Sequence, residues 1–179
     1  DLRDQHEYKW IKIGNQTWMA ENMAYLPSVN HPDSVSDFIR YYYVYGYAGS
    51  DVAEAKTTPN FSAYGVLYNW EAAEDICPDG WHLPSDEEWK ELETNLGMNS
   101  TDVDRFDMRN SGNVGKKLKS QHGWDSGGGN NSSGFNALPG GYNHYRIFNR
   151  GLGYDAVFWT STVSGSEWAW LRVLEDNEN

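Results

Sequence analysis

The stretch Cys77-Pro78-Asp79-Gly80-Trp81-His82-Leu83-Pro84-Ser85-Asp86-Glu87-Glu88-Trp89 joins a compact turn to a strongly specified helix start. Ser85 stands where its side chain caps the orphan N–H groups of a helix N-terminus, and Glu88 follows where it completes a capping box. Asp86, Glu87 and Glu88 oppose the positive end of the helix dipole. Trp89, Leu92 and Leu96 then form an apolar stripe, Glu87, Lys90 and Glu91 fall mostly on the other side, and Gly97 supplies a stop. A helix is therefore expected from about Ser85 to Leu96. Cys77, Trp81, Ser85, Glu88 and Trp89 read as scaffold residues, and nothing in the stretch is a set of catalytic groups.

Upstream, Tyr8 to Ile13 alternates as a strand does, and Gly14-Asn15 turns it into a second apolar segment, Gln16 to Ala20, so a hairpin is expected. Residues 27 to 37 read as a loop broken by Pro27 and Pro32. The run from Tyr41 to Tyr47 has strand propensity, although flanking Gly and Asp also permit an aromatic loop. Val66, Leu67, Trp70 and Ala73 fit one face of a short helix between Ala63 and Ala73. Downstream, residues 99 to 115 are polar and poorly periodic, and Gly127 to Asn131 read as a turn or flexible loop. Val157 to Thr162 and Glu167 to Leu174 read as central strands joined through Ser164-Gly165-Ser166. No repeat or linker divides the chain. The expected architecture is a single α+β domain over residues 1–179, with two helices and short, irregular strands.

The chain of 179 residues is long enough for one substantial core. Nine Trp, twelve Tyr and six Phe mean that much of its apolar area comes as flat rings, which can build a core or a sticky face. Twenty-six acidic against 14 basic residues leave a formal charge of −12, which opposes nucleic acid and anionic membrane surfaces and favours a neutral, cationic or metal-bridged partner. No apolar run approaches the length of a transmembrane segment. Cys77 is the one cysteine, so no internal disulfide can form. Asn-x-Ser/Thr sites, such as Asn15-Gln16-Thr17 and Asn131-Ser132-Ser133, matter only in a glycosylating host.

The ordered strings Gly14 to Asn22, Tyr64 to Trp70, Cys77 to Trp89, Gly115 to Lys119, Ser133 to Tyr142 and Phe158 to Thr162 closely resemble the Fibrobacter succinogenes major paralogous domain family. The resemblance implies a bacterial domain, common in Bacteroidetes and often part of a lipoprotein, that is exported and sits at the cell surface, at the outer membrane or outside the cell. It also implies a C-type-lectin-like fold, distantly similar to the formylglycine-generating, sulfatase-modifying domains. Members usually close with a further strand carrying a terminal cysteine, with which Cys77 would pair; this sequence ends without it. The reactive late cysteines of the formylglycine-generating enzymes have no counterpart after Cys77, so their oxidase chemistry does not carry over.

Candidate sites follow from residue chemistry. Cys77 and His82 are separated by a turn that gives no reason for contact, so a cysteine hydrolase is not expected. The five histidines are scattered without zinc spacing. Asp102, Asp104 and Asp107 are close enough to share one loop, which makes calcium the one metal the sequence offers, although the glycine and terminal glutamate of an EF-hand are missing; otherwise no cofactor is expected. Gly127-Gly128-Gly129 lacks the ending of a phosphate loop. Carboxylates such as Asp125 and Glu167 would have to be assembled by folding to form a glycosidase-like pair. A recognition surface is expected around residues 122 to 150: Trp124, Asp125, Asn130, Asn131, Tyr142, Asn143, His144, Tyr145, Arg146 and Phe148 combine stacking rings with orienting polar groups. Of these, Tyr145, Arg146 and Phe148 fall in an expected loop between Gly141 and Gly151. The leading expectation is a non-enzymatic surface binding or structural module that meets a glycan or surface protein; the alternative is a polysaccharide hydrolase using paired carboxylates.

Overall fold

The structure is a computed structural model that describes residues 1–36, 38–144, 148–165 and 168–177. The hairpin forms as expected: β1 (Trp10–Ile13) pairs antiparallel with β2 (Gln16–Met19), with Gly14 at φ +59° in the turn. The tyrosine run yields only β3 (Tyr42–Tyr43), because Gly46 turns the chain at φ +75°. Short helix α1 (Val52–Lys56) follows, capped by the Asp51 side chain, and then α2 (Pro59–Tyr64), capped by Thr58 with Pro59 in its first turn.

The single helix expected between Ala63 and Ala73 is two helices with a strand between them. Gly65 ends α2 at φ +71°, β4 (Leu67–Tyr68) pairs with β3, and the Asn69 side chain caps α3 (Trp70–Ala73). Val66, Leu67 and Trp70 fit a helical period in sequence, but Gly65 and Asn69 punctuate the run more strongly than the period sustains it.

Helix α4 (Asp86–Asn95) has the complete capping box: Ser85 Oγ accepts from the Glu88 N–H at 3.2 Å, and the Ser85 N–H donates to Glu88 Oε2 at 2.7 Å. Trp89 and Leu92 are 2% and 0% exposed and belong to the main core. Trp89 meets Trp18 of the hairpin at 5.0 Å between ring centroids, Phe158 at 5.4 Å and Phe135 at 5.6 Å. The hairpin is also tied to α4 by Gln16, whose Nε2 donates to the Glu88 carbonyl while its Oε1 is held within β2 by accepting from Trp18 Nε1.

After α4, a 3₁₀ turn at Ser111–Asn113 leads into α5 (Val114–Leu118). Gly127 to Asn131 does not behave as a flexible loop. The N–H groups of Gly129, Asn130 and Asn131 donate to the carbonyls of Ser120, Lys116 and Lys119, and a methyl on Gly128 or Gly129 would collide with those carbonyl oxygens. The glycines are there for close approach.

The remaining strands are β5 (Gly140–His144), β6 (Phe148–Leu152), β7 (Asp155–Ser164) and β8 (Trp168–Glu175), forming a sheet of order β6-β5-β7-β8. β5 runs parallel to β7 and antiparallel to β6, while β7 and β8 pair antiparallel with Phe158 opposite Arg172. The expected loop between Gly141 and Gly151 is thus largely paired strand. With its separate helices and mixed strands, the chain is α+β. Two helices were expected; five are present among the described residues, because α1, α2 and α3 are each set by a cap rather than by an apolar stripe and α5 is only five residues long.

Candidate functional site

The surface expected around residues 122 to 150 is only partly available for recognition. Trp124 is 6% exposed, and its indole N–H donates to Ser120 Oγ at 3.1 Å and to the Ala137 carbonyl, so it is committed to the interior. Asn131 sits at φ +48° and accepts from the Asn136 N–H at 2.8 Å, which makes it a turn former. Asn130 is exposed and accepts from the Ser132 N–H; Asp125 is exposed and accepts from Tyr154 Oη at 2.7 Å. Tyr142, Asn143 and His144 are half-buried on β5, and Asn143 donates to the Pro32 carbonyl at 2.8 Å. Phe148 begins β6. Tyr145, Arg146 and the carboxylate Glu167 lie outside the described residues.

Cys77 is half-buried, and burial pushes its thiol up, away from the thiolate a nucleophile needs. His82 turns to Glu88, with Nε2 and Oε1 2.7 Å apart. Trp81 closes a turn onto the Pro78 carbonyl with Gly80 at φ +84°. The acidic loop is neutralised from within. Arg105 Nε donates to Asp107 at 2.9 Å and Nη1 stands 3.6 Å from Asp102, while Lys90 takes Asp104 at 3.1 Å. Hydrogen bonds from Ser111 and Arg105 hold the Asp102 carboxyl low, and Arg105 does the same for Asp107. No group of three or more His, Cys, Asp or Glu among the described residues is placed to hold a metal.

The concave feature that the fold does build lies elsewhere. A groove of about 660 Å³ runs between α4, the segment 104–109 and β8. Its floor carries a buried charge network that starts at Glu93, which is 5% exposed. Glu93 Oε1 accepts from Arg109 Nη2 at 2.8 Å and from Arg172 Nε at 3.2 Å, and Arg172 Nη2 reaches on to Asp86 Oδ1 at 2.6 Å. Lys90 joins Asp86 at 3.2 Å and Glu87 at 2.9 Å.

The two floor carboxylates are driven apart. Burial pushes the Glu93 carboxyl up despite the pull of Arg109 and Arg172. At Asp86, burial alone would raise the carboxyl, but the hydrogen bond and charge of Arg172, with help from Lys90, hold it below its ordinary value. Two buried polar atoms on α4 have no hydrogen-bond partner: Glu93 Oε2 and, one helical turn before it, Trp89 Nε1. Both residues line the groove.

The rim is apolar. Phe106 is 86% exposed and stacks on Trp170 of β8 at 5.3 Å between centroids and 18° between planes, with Met108 exposed beside it. Lys90, Arg105, Arg109 and Arg172 balance the groove's acidic residues to within one charge, on a chain whose formal charge is −12. The groove is thus an electrostatically quiet patch on an acidic surface. Sequence reading missed it because Phe106 and Trp170 are far apart in the chain. Glu93 carried the available signal: it falls between Leu92 and Leu96, a carboxylate on the apolar face of its helix.

Residues 11–179 match the Fibrobacter succinogenes major domain, and the chain belongs to that family. No curated protein and no solved structure matches it.

Proposed function

We propose that the chain is a non-catalytic binding module of the cell surface, built on a C-type-lectin-like scaffold, and that it meets its partner through the groove between α4, residues 104–109 and β8. The observation that carries this reading is the exposed Phe106 ring stacked on Trp170 at the rim of a groove whose charges cancel. An apolar ring held in place beside a desolvated polar floor is the arrangement recognition sites use to combine contact area with orientation. Export and surface placement accord with family membership, and no helix among the described residues is long and apolar enough to cross a membrane. The reading needs no cofactor, since Arg105 and Lys90 already supply the positive charge that calcium would bring to Asp102, Asp104 and Asp107.

A second reading has its own support. Glu93 with its carboxyl raised and Asp86 with its carboxyl lowered, in one groove, is the pattern of an acid and a base set apart by environment, as a polysaccharide hydrolase would use. The guanidinium of Arg172 between them favours a structural role, because it occupies the acceptors that a substrate would need. Arrays of surface polysaccharides and surface proteins, each followed by product analysis, separate the two. Binding without products, lost in the F106A/M108A variant, is expected; bond cleavage abolished by E93Q overturns the binding reading.

A further inference from the structure

Resting on the groove as the binding site, we infer that it takes an uncharged, extended peptide segment of a partner protein, which pairs as a strand with the free edge of β8. The sheet runs β6-β5-β7-β8, so β8 is its last strand and pairs only with β7 among the described residues. Six successive residues of β8, Trp170 to Glu175, line the groove. Side chains of a strand alternate between its two faces, so a groove lying over one face would meet every second residue only. Contact with all six places the groove along the edge, where every second residue turns its N–H and C=O away from β7. Among the described residues, no backbone hydrogen bond reaches Trp170 to Leu174 from outside the sheet. Lys119 Nζ donates to the Glu175 carbonyl at 2.9 Å and closes that end.

A row of unpaired main-chain donors and acceptors is a template for another strand, and proteins guard such edges with outward charges, prolines or a covering loop. Here the outward side chains are apolar: Leu171 and Val173 are 40% and 46% exposed. The segment 104–109 faces the edge without closing on it, leaving a space of about 660 Å³, and meets β8 where Phe106 stacks on Trp170. A strand entering that space sits about 4.8 Å from β8. Its outward side chains become cross-strand neighbours of Leu171 and Val173, where β-branched residues fit best, while Phe106 and Met108 close over it from the opposite wall. Its inward side chains meet Arg172 and Glu93, which are already paired with each other, so small uncharged polar groups suit that side. Lining charges that cancel to within one give a charged segment no advantage. The occupant is a single segment and not a second copy of this chain, because a second β8 edge is recessed between the same two walls and each copy brings a formal charge of −12. Main-chain pairing then supplies affinity and the alternate side chains supply selectivity.

The test is calorimetric titration of the whole chain, up to millimolar concentration, with short capped peptides in which Thr alternates with Val, Ile or Tyr. The best binder is then made in two versions, each N-methylated at one of the two alternate sets of residues, and amide exchange of the chain is followed by NMR. Saturable binding of at least one peptide is expected, with exchange slowed at every second N–H between Trp170 and Leu174. One methylated version is expected to bind about tenfold more weakly and the other within about twofold, because only one set of peptide N–H groups faces β8. The methylated pair leaves the protein unaltered, so this readout does not depend on a variant that folds. No peptide bound, equal affinity of the two methylated versions, protection that does not alternate along β8, or a second copy or another part of this chain seated along β8 in a crystal structure overturns the inference. The two readings fail separately. A surface protein or polysaccharide whose binding falls in F106A/M108A without protecting the β8 amides removes the strand and leaves the groove, whereas a peptide that pairs with β8 and is cleaved removes the non-catalytic reading and leaves the strand.

Discussion

Arg172 of β8 donates from Nε to Glu93 of α4 at 3.2 Å, with the two side chains 9% and 6% exposed. This contact pins the helix to the edge strand of the sheet and fixes the width of the groove between them. Replacing Arg172 leaves Glu93 with Arg109 at 2.8 Å and Asp86 with Lys90 at 3.2 Å, so each carboxylate loses a partner but not its last one. R172M is therefore expected to lose about 1.5–3 kcal/mol in urea unfolding, the range for hydrogen bonds to charged groups. A loss below about 1 kcal/mol would show that the pair is not buried in solution.

The two floor carboxylates give stability opposite pH dependences. Asp86 has a lowered folded value, so its contribution is complete above its ordinary value of 3.8 and is lost as pH falls through the folded value. Glu93 has a raised folded value, so the native state binds the extra proton, and stability falls as pH rises from 4.5 through the folded value. E93Q removes the second term. Its stability, followed by thermal melts between pH 7 and 4, is expected to decline more steeply on acidification than that of the wild type; a shallower decline contradicts the assignment.

S85A removes the hydroxyl that accepts from the Glu88 N–H and is expected to cost about 1 kcal/mol. W89A empties the centre of the aromatic cluster with Trp18, Phe135 and Phe158 and is expected to cost about 3–5 kcal/mol. Chemical denaturation of the two variants checks both the values and their order.

Calcium is expected to leave the melting temperature unchanged, as is its removal by chelator. Asp102 and Asp107 share Arg105, and Asp104 pairs with Lys90, so calcium would have to displace ion pairs already made. A rise in melting temperature that saturates with calcium would show that it does so.

What the sequence showed directly was local. Ser85 and Glu88 announce a helix start because a capping box uses neighbours in the chain, and the hairpin around Gly14 is equally self-contained. The capping box of Ser85 and Glu88 places Trp89 on α4, but it does not say that Phe158 covers it. Helices α1 to α3 were obscured because each is too short to show a period and depends on Asp51, Thr58 or Asn69 as its cap. The candidate site was the least legible part. Phe106 meets Trp170 and Glu93 meets Arg172 across dozens of intervening residues, and such pairings are set by the packing of the sheet on α4. Trp124 stands beside the scaffold motifs and serves in sequence as either a core ring or a stacking ring; its burial and its hydrogen bonds to Ser120 and Ala137 make it core.

The most direct test of the groove is titration of wild type and F106A with arrays of surface polysaccharides and surface proteins, with the mixtures analysed afterwards for cleavage. Phe106 is 86% exposed, so the substitution leaves the core intact. Saturable binding by the wild type, about tenfold weaker in F106A and without products, is the predicted result. Equal affinity in the two proteins, or shortened saccharides in the wild-type mixture, would contradict it.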